Sequence, residues 1–285
     1  MPKPWPASTC ATARTGAARR KQTRSSNTDS WRNALSGTGQ PEATPGAPPP
    51  REVSFFFPAY NDAKTIAPLT EALRGVLARH CDAYEIIIVV DASPDNSGAV
   101  ADAMAEQYPE VRAIHHPVNQ GYGPAVMSGI RAARYDWVAF TDGDMQFDVT
   151  EFDRLQNAAA RGADIVAGRR VKRADPWRRI AFSAVYNLGL RLFLGIPLHD
   201  MDCAFKLMRR RIFVECPPAG RYREAFVLVE VFFKSMRQGY TIAEVPVSHL
   251  PRRFGESQCF SAGNVFRFIR YMLGGIYNAR IARRW

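Results

Sequence analysis

The sequence predicts an α/β fold: one open, doubly wound sheet with helices on both faces. Three observations lead there. Apolar runs of strand length alternate with stretches of helical spacing from residue 52 onward. One of them, Tyr84–Val90 (YEIIIVV), is nearly all apolar and β-branched, as in a strand covered on both faces of a parallel sheet. Acidic loops follow three of the strands, at the carboxyl ends where such sheets bind ligands.

In chain order, Glu52–Phe57 (EVSFFF) is a short apolar strand. Lys64–Arg79 has helical spacing, with Ile66, Leu69, Leu73, Val76 and Leu77 on one side. After the Tyr84–Val90 strand, Ser97–Gln107 reads as helix, Val111–His115 as strand and Pro124–Ala133 as helix. Asp136–Thr141 (DWVAFT) is a strand, the neighbourhood of Thr150–Arg161 a helix and Asp164–Ala167 a further strand. Glu224–Arg237 is expected to be helical, and Glu230 on it is either a site residue or a surface acid.

The chain has 285 residues, of which 46% are hydrophobic and 23% charged, which excludes a wholly disordered chain, a collagen and a coiled coil. Its formal charge is +11, but residues 1–51 hold eight Lys/Arg against two acids, so the remainder is only mildly basic. Residues 1–50 lack apolar periodicity and end in a Pro-rich run, so they are expected to be a disordered basic tail. That tail lacks the apolar run of a secretory signal; its Arg/Ser-rich, acid-poor composition leaves a transit peptide open. Five scattered cysteines without metal-ligand spacing read as reduced thiols. No stretch reaches about 18 uninterrupted apolar residues, so no transmembrane helix is expected.

The loops carry the chemistry. Pro58-Ala59-Tyr60-Asn61-Asp62 follows the first strand, Asp91-Ala92-Ser93-Pro94-Asp95-Asn96-Ser97 the second, and Asp142-Gly143-Asp144-Met145-Gln146 the DWVAFT strand. Asp142 and Asp144 offer two hard oxygen donors one residue apart. The glycine between them lets backbone and ligand approach closely. Such a pair suits Mg²⁺ or Mn²⁺ shared with substrate phosphates, the plain alternative being a turn or a cap. Asp95 and Ser97 have their own plain reading, the start of a helix.

In order, P-A-Y-N-D, V-D-A-S-P-D-N-S, N-Q-G-Y-G, D-G-D-M-Q, D-I-V-A-G-R-R and R-R-F-G-E-S-Q resemble glycosyltransferase family 2 over roughly residues 51–260. Within it they are most similar to the dolichyl- and polyprenyl-phosphate sugar synthases. The resemblance implies a GT-A fold built on a single Rossmann-like sheet, inverting transfer from a nucleotide sugar, and Mg²⁺ or Mn²⁺. It implies nucleotide contacts at Pro58, Tyr60 and Asp62, the last standing where the family usually has Glu. Val89 and Asp91 match residues that hold base and ribose, with Val90 replacing the first of the family's two acids. Asp142 and Asp144 match the metal pair, Gly143 lies against the donor, and Gln146 matches a Gln near the sugar. Arg169 matches an Arg near the phosphates and Arg252 the Arg before the family's G-E-S-K motif. Here that motif reads Gly255-Glu256-Ser257-Gln258, with Gln258 in place of Lys at the donor pyrophosphate and Arg253 available to compensate.

Arg169, Arg170, Lys172, Arg173, Arg178 and Arg179 place six basic residues within eleven positions, which suits capture of a phosphate acceptor, a solvated loop being the alternative. A lipid phosphate is already an anion, whereas an alcohol acceptor needs a general base. His115, His116, His199 and His249 lie outside the acidic motifs; Asp200 and Asp202 are candidates for a base or for orienting substrate. The family has a related D-x-x-x-x-F-[RK] segment in which Asp200 takes the Asp position. Ile180–Leu194 and Val265–Ile281 combine apolar residues at helical spacing with arginines, as in a membrane-interface helix or an ordinary core-facing one. Residues 261–285 are expected to form a C-terminal amphipathic helix. The leading expectation is a hexosyltransferase that pairs a GDP- or UDP-sugar with a polyprenyl phosphate, peripheral at the cytoplasmic face of the membrane. An alcohol acceptor is the alternative within the enzyme class. A nucleotide- or nucleic-acid-binding protein is the alternative outside it, disfavoured because the body lacks a nucleic-acid motif.

Overall fold

Seven strands form one sheet in the order β3-β2-β1-β4-β6-β5-β7. They are β1 (Glu52–Ala59), β2 (Ala83–Val90), β3 (Val111–His115), β4 (Trp137–Phe140), β5 (Ile165–Arg170), β6 (Lys206–Arg209) and β7 (Ile242–Val247). The structure, a computed structural model, describes residues 48–171, 175–219, 226–252 and 270–281. The basic tail up to residue 47, Lys172, Arg173, Glu224, Arg253, the Gly255–Gln258 segment and residues 261–269 therefore lie outside the described residues.

The helices are α1 (Ala63–His80), α2 (Ser97–Gln107), α3 (Tyr122–Ala132), α4 (Phe152–Ala160), α5 (Trp177–Gly189), α6 (Arg211–Glu215) and α7 (Phe226–Arg237). A π-helical turn, Leu190–Leu194, continues α5 and ends at Gly195 in the left-handed conformation (φ 72°).

The residues of β1 show how the layers are built. Side chains alternate across a strand, so Phe55 and Phe56 face opposite sides. The Phe55 ring meets Phe152 of α4 at 5.9 Å and Phe205 at 6.4 Å. Phe56 stacks on Phe140 of β4 at 5.0 Å and lies under Gly129 of α3. Helices therefore cover both faces, as expected. Phe55, Phe56 and Phe57 are wholly buried, and each burial contributes about 1.5–3 kcal/mol. At Gly129 a Cβ would sit 2.3 Å from the Phe56 ring, so only glycine lets α3 lie this close to the sheet.

The sheet departs from an all-parallel one. β1, β2, β3 and β4 run parallel, but β6 is antiparallel to both β4 and β5, and β7 is parallel to β5. Two reversals about β6 leave the carboxyl ends of β1, β2, β3, β4, β5 and β7 at one edge. β6, β7 and α6 went unread in the sequence: KLMR is short, and IAEVPV carries a proline and a glutamate.

Candidate active site

Three loops meet at that edge, and each contains a non-glycine residue with positive φ: Asn61 (60°), Ala92 (49°) and Met145 (58°). This conformation is costly for a residue with a Cβ and collects at functional sites. The loops are tied to one another. The Asn61 N–H donates to Ser93 Oγ (2.8 Å), the Asp62 N–H to Ser97 Oγ (3.1 Å) and the Ala63 N–H to Asp95 Oδ2 (3.1 Å). Burial would raise the Asp95 carboxyl, but donors from Ser93, Ser97 and Ala63 hold it down at about 2. Asp95 thus fastens the starts of α1 and α2, the plain reading of its motif.

Asp142 and Asp144 follow β4. One oxygen of Asp142, Oδ1, is fully enclosed and has no hydrogen-bond partner. Burial, with the charge of Asp144 second, pushes the Asp142 carboxyl up to about 7, against a hydrogen bond from Tyr122 and the charge of Arg170. Asp144 is also raised by burial, opposed by Arg252, whose Nη2 lies 2.6 Å from Oδ2, and by Arg179. Asp62 completes the acidic group: burial lifts it to about 6, and Asp144 adds to the shift. Between them lies Gly143, where a Cβ would stand 2.7 Å from the Pro58 carbonyl oxygen and 3.0 Å from Asp62 Oδ2. Enclosed carboxylates reluctant to ionise, one with an unpartnered oxygen, fit a hard divalent cation. Among the described residues no group of three or more His, Cys, Asp or Glu gathers that could hold a metal.

Gln146 and Arg252 are joined by the chain itself. The Leu250 N–H donates to the Gln146 carbonyl (2.7 Å), Gln146 Nε2 donates to the Leu250 carbonyl (3.1 Å), and Phe147 pairs with His249 in an antiparallel bridge. Gln146 thus carries the segment that brings Arg252 to Asp144. Pro58 is half-buried at the end of β1, and Tyr60 is 38% exposed beyond it.

Four sequence expectations are corrected. Val89 is wholly buried within β2, beside Pro58 in register, and has no surface for a ligand. Asp200 is not poised as a base. It holds the buried Arg170 through Nε (2.7 Å) and Nη2 (2.6 Å) and accepts the Arg170 N–H (3.1 Å). Arg169 alternates to the other side of β5 and approaches Glu244 at 4.0 Å. The cations that act on the acidic pair are instead Arg170, Arg179 and Arg252. Glu230 is neither at the surface nor in the site: it is wholly buried, accepting from the Ala219 N–H (2.9 Å) and Lys234 Nζ (2.6 Å). Asp91 reaches the site's edge but spends both oxygens on its own chain, on His116 Nδ1 (2.6 Å), the Gln120 N–H (2.9 Å) and the Gly121 N–H (2.8 Å). Sequence reasoning named Arg170 and Arg179 only as members of the basic cluster for a phosphate acceptor, matched Arg169 and not Arg170 to the phosphates, and did not single out Tyr122. The period-two alternation of a strand, which separates Arg169 from Arg170, was the signal for one of them.

Residues 54–216 match the model of the family described as Glycosyl transferase family 2, more than half of the chain and every strand from β1 to β6. The chain belongs to glycosyl transferase family 2. Its relatives in that family include the polyprenol monophosphomannose synthase of Mycolicibacterium smegmatis, 27% identical over 80% of this chain and 88% of the relative. The undecaprenyl-phosphate 4-deoxy-4-formamido-L-arabinose transferase of Serratia proteamaculans is 31% identical over 74% of this chain, and the match spans only 63% of that longer protein. Among solved structures, glucosyl-3-phosphoglycerate synthase of Mycobacterium tuberculosis, in complex with Mn²⁺, UDP and phosphoglyceric acid, superposes with a TM-score of 0.63 at 16% identity, over 90% of this chain and 84% of that one. At that identity the likeness is one of fold, and it is the GT-A fold expected of a family 2 glycosyltransferase.

Proposed function

We infer that this family 2 enzyme transfers a hexose, with inversion, from a GDP- or UDP-sugar to a polyprenyl phosphate at the cytoplasmic face of a membrane. The observation that carries the reading is the Asp142-Gly143-Asp144 turn, with its unpartnered enclosed oxygen and three arginines acting on the pair. Breaking a sugar–pyrophosphate bond leaves negative charge on a nucleoside diphosphate. Arg252 and Arg179 supply positive charge beside the pair where it develops. Asp142 and Asp144 would hold Mg²⁺ or Mn²⁺, which would supply further neutralisation of that charge when bound. Tyr60 and Pro58 line the side from which the nucleotide approaches, and Gly143 lets the acidic turn pack against Pro58 and Asp62.

The acceptor assignment rests on chemistry and on likeness. A phosphate is already anionic, so the reaction needs no general base, in keeping with an Asp200 committed to Arg170. Of the two relatives above, one is named for making polyprenol monophosphomannose and the other for undecaprenyl-phosphate. On α5 and its π-helical continuation, Val185, Leu188 and Leu192 follow helical spacing and are 71%, 52% and 58% exposed. Trp177, 72% exposed and flanked by Arg178, heads the same helix. An apolar face edged with arginine and tryptophan suits a lipid interface. No described helix is long and apolar enough to cross a membrane.

The test is a transfer assay with Mn²⁺ or Mg²⁺, UDP- or GDP-sugars and a short-chain polyprenyl phosphate in detergent. Metal-dependent lipid-phosphate sugar, absent with Asp144→Ala, supports the reading. Donor hydrolysis with no lipid product overturns the acceptor and leaves an alcohol acceptor in its place.

A further inference from the structure

A line of ionic contacts leads from β7 across the end of β5 to the first turn of α5. Glu244 of β7 accepts the N–H groups of His199 (2.8 Å) and Asp200 (2.9 Å) at one oxygen, Oε1. Asp200 holds the guanidinium of Arg170, the last residue of β5, through both carboxylate oxygens. Arg170 Nη1 then approaches Asp175 Oδ2 at 4.0 Å, and Asp175 Oδ1 binds Arg179 Nη1 at 3.0 Å. The Asp175 side chain is 3% exposed and that of Arg170 5%, whereas that of Arg179 is 24% exposed. Of the two arginines that share Asp175, one is sealed in the interior and the other reaches solvent, beside the edge where the acidic turn stands.

The local sequence explains why α5 needs this acid. Arg178 and Arg179 stand in its first turn, where unpaired N–H groups and the helix dipole already present positive charge. That turn holds no acid, and Pro176 at the N-cap offers no side-chain acceptor. Two cations there are unfavourable for the helix by itself. Asp175, four residues before Arg179, supplies the opposing charge from the interior.

We propose that Asp175 is a positioning residue that holds Arg179 at the edge of the site as a cation for phosphate, the chemistry shared by the donor's diphosphate and the acceptor. This rests on the reading of that edge as the place of transfer from a nucleotide sugar to a lipid phosphate. An arginine side chain left to itself spreads over many rotamers, and ordering it when a phosphate arrives subtracts from affinity. A carboxylate fixed in the interior orders the guanidinium beforehand. Arg170 does not take this part, because Asp200 occupies its Nε and Nη2 and the side chain is buried.

Asp175→Asn keeps the shape of the side chain and removes its charge. Arg170 retains Asp200, so the variant folds, which thermal melting verifies. Binding is read by titration calorimetry with two probes, UDP or GDP with Mn²⁺ and farnesyl phosphate in detergent, with farnesol as the uncharged control. Asp175→Asn is expected to weaken at least one probe about five- to tenfold, within the range of couplings between residues in contact, and Asp175→Glu to recover part of the loss. In an Arg179→Ala background Asp175→Asn is expected to add nothing, because both act through one guanidinium. A loss confined to the nucleotide assigns Arg179 to the donor, and one confined to farnesyl phosphate assigns it to the acceptor. Unchanged or tighter binding of both probes overturns the proposal. So does a loss that persists in full without Arg179, which would make Asp175 a purely structural acid. A wild-type chain that binds nucleotide but not farnesyl phosphate overturns the acceptor reading, and the nucleotide titration still decides the role of Asp175. A wild-type chain that binds neither overturns both.

Discussion

At the end of β4 burial opposes the charge that Asp142 has to carry. Its carboxyl titrates near 7, where an ordinary aspartate does so at 3.8, so the native state holds this proton more tightly than the unfolded chain. Its contribution therefore favours folding at low pH and is lost as pH rises from 3.8 through about 7. Metal-free thermal melts at pH 5 and 8 should show Asp142→Asn gaining stability relative to wild type at the higher pH, because the amide never charges. The same protonation competes with a cation, so Mn²⁺ should raise the wild-type melting temperature more at pH 8 than at pH 5. Asp144→Ala should lower transfer about 100-fold or more while melting like the wild type, as expected when a charge-stabilising contact is removed from a site. Asp200 behaves in the opposite way. Removing its charge in Asp200→Asn strands the buried Arg170 guanidinium and should cost about 3–5 kcal/mol by denaturant unfolding. Lost activity with unchanged stability would instead restore Asp200 as a catalytic group.

Elements decide how closely those residues can be brought together. Helix α3 lies against β1 because Gly129 accepts the Phe56 ring, so Gly129→Ala forces overpacking. It should cost about 1–3 kcal/mol and loosen the start of α3, where Tyr122 stands. Helix α5 illustrates a different use of an apolar face. One side of it is anchored in the protein by Ser183, Tyr186 and Asn187, while Val185 and Leu188 point outward. Replacing both with Glu removes no core contact, so melting should be unchanged while co-sedimentation with anionic vesicles falls severalfold. Undiminished sedimentation would show that lipid contact lies elsewhere.

At the scale of the whole molecule, six strand ends share one edge because β6 alone runs backwards, between β4 and β5. That single reversal is why Arg170, at the end of β5, acts on Asp142, at the end of β4. The +11 charge of the chain adds a long-range term. Binding to anionic vesicles should weaken as salt rises from about 0.05 to 0.5 M, since screening shortens the reach of exposed charge to a few ångströms. The apolar contribution of α5 should persist at the higher salt.

The sequence by itself determined the α/β class, the strands β1 to β5, the three ligand-side loops and the Asp142-Gly143-Asp144 turn, because each is written locally, as a hydrophobic period or a spacing within a few residues. Only the tertiary structure decided which charges serve the site. Asp200 and Arg170 are thirty positions apart and neutralise each other in the interior. Arg252 reaches Asp144 across 108 positions, through the pairing of Gln146 with Leu250. Asp91 turns inward to His116 and the Gly121 N–H instead of outward to a ligand. β6 and β7 are strands because the sheet has places for them, not because KLMR or IAEVPV announces one. Local order follows from sidedness along the chain. The partner of a buried charge follows from distance in space, which a sequence read residue by residue does not contain.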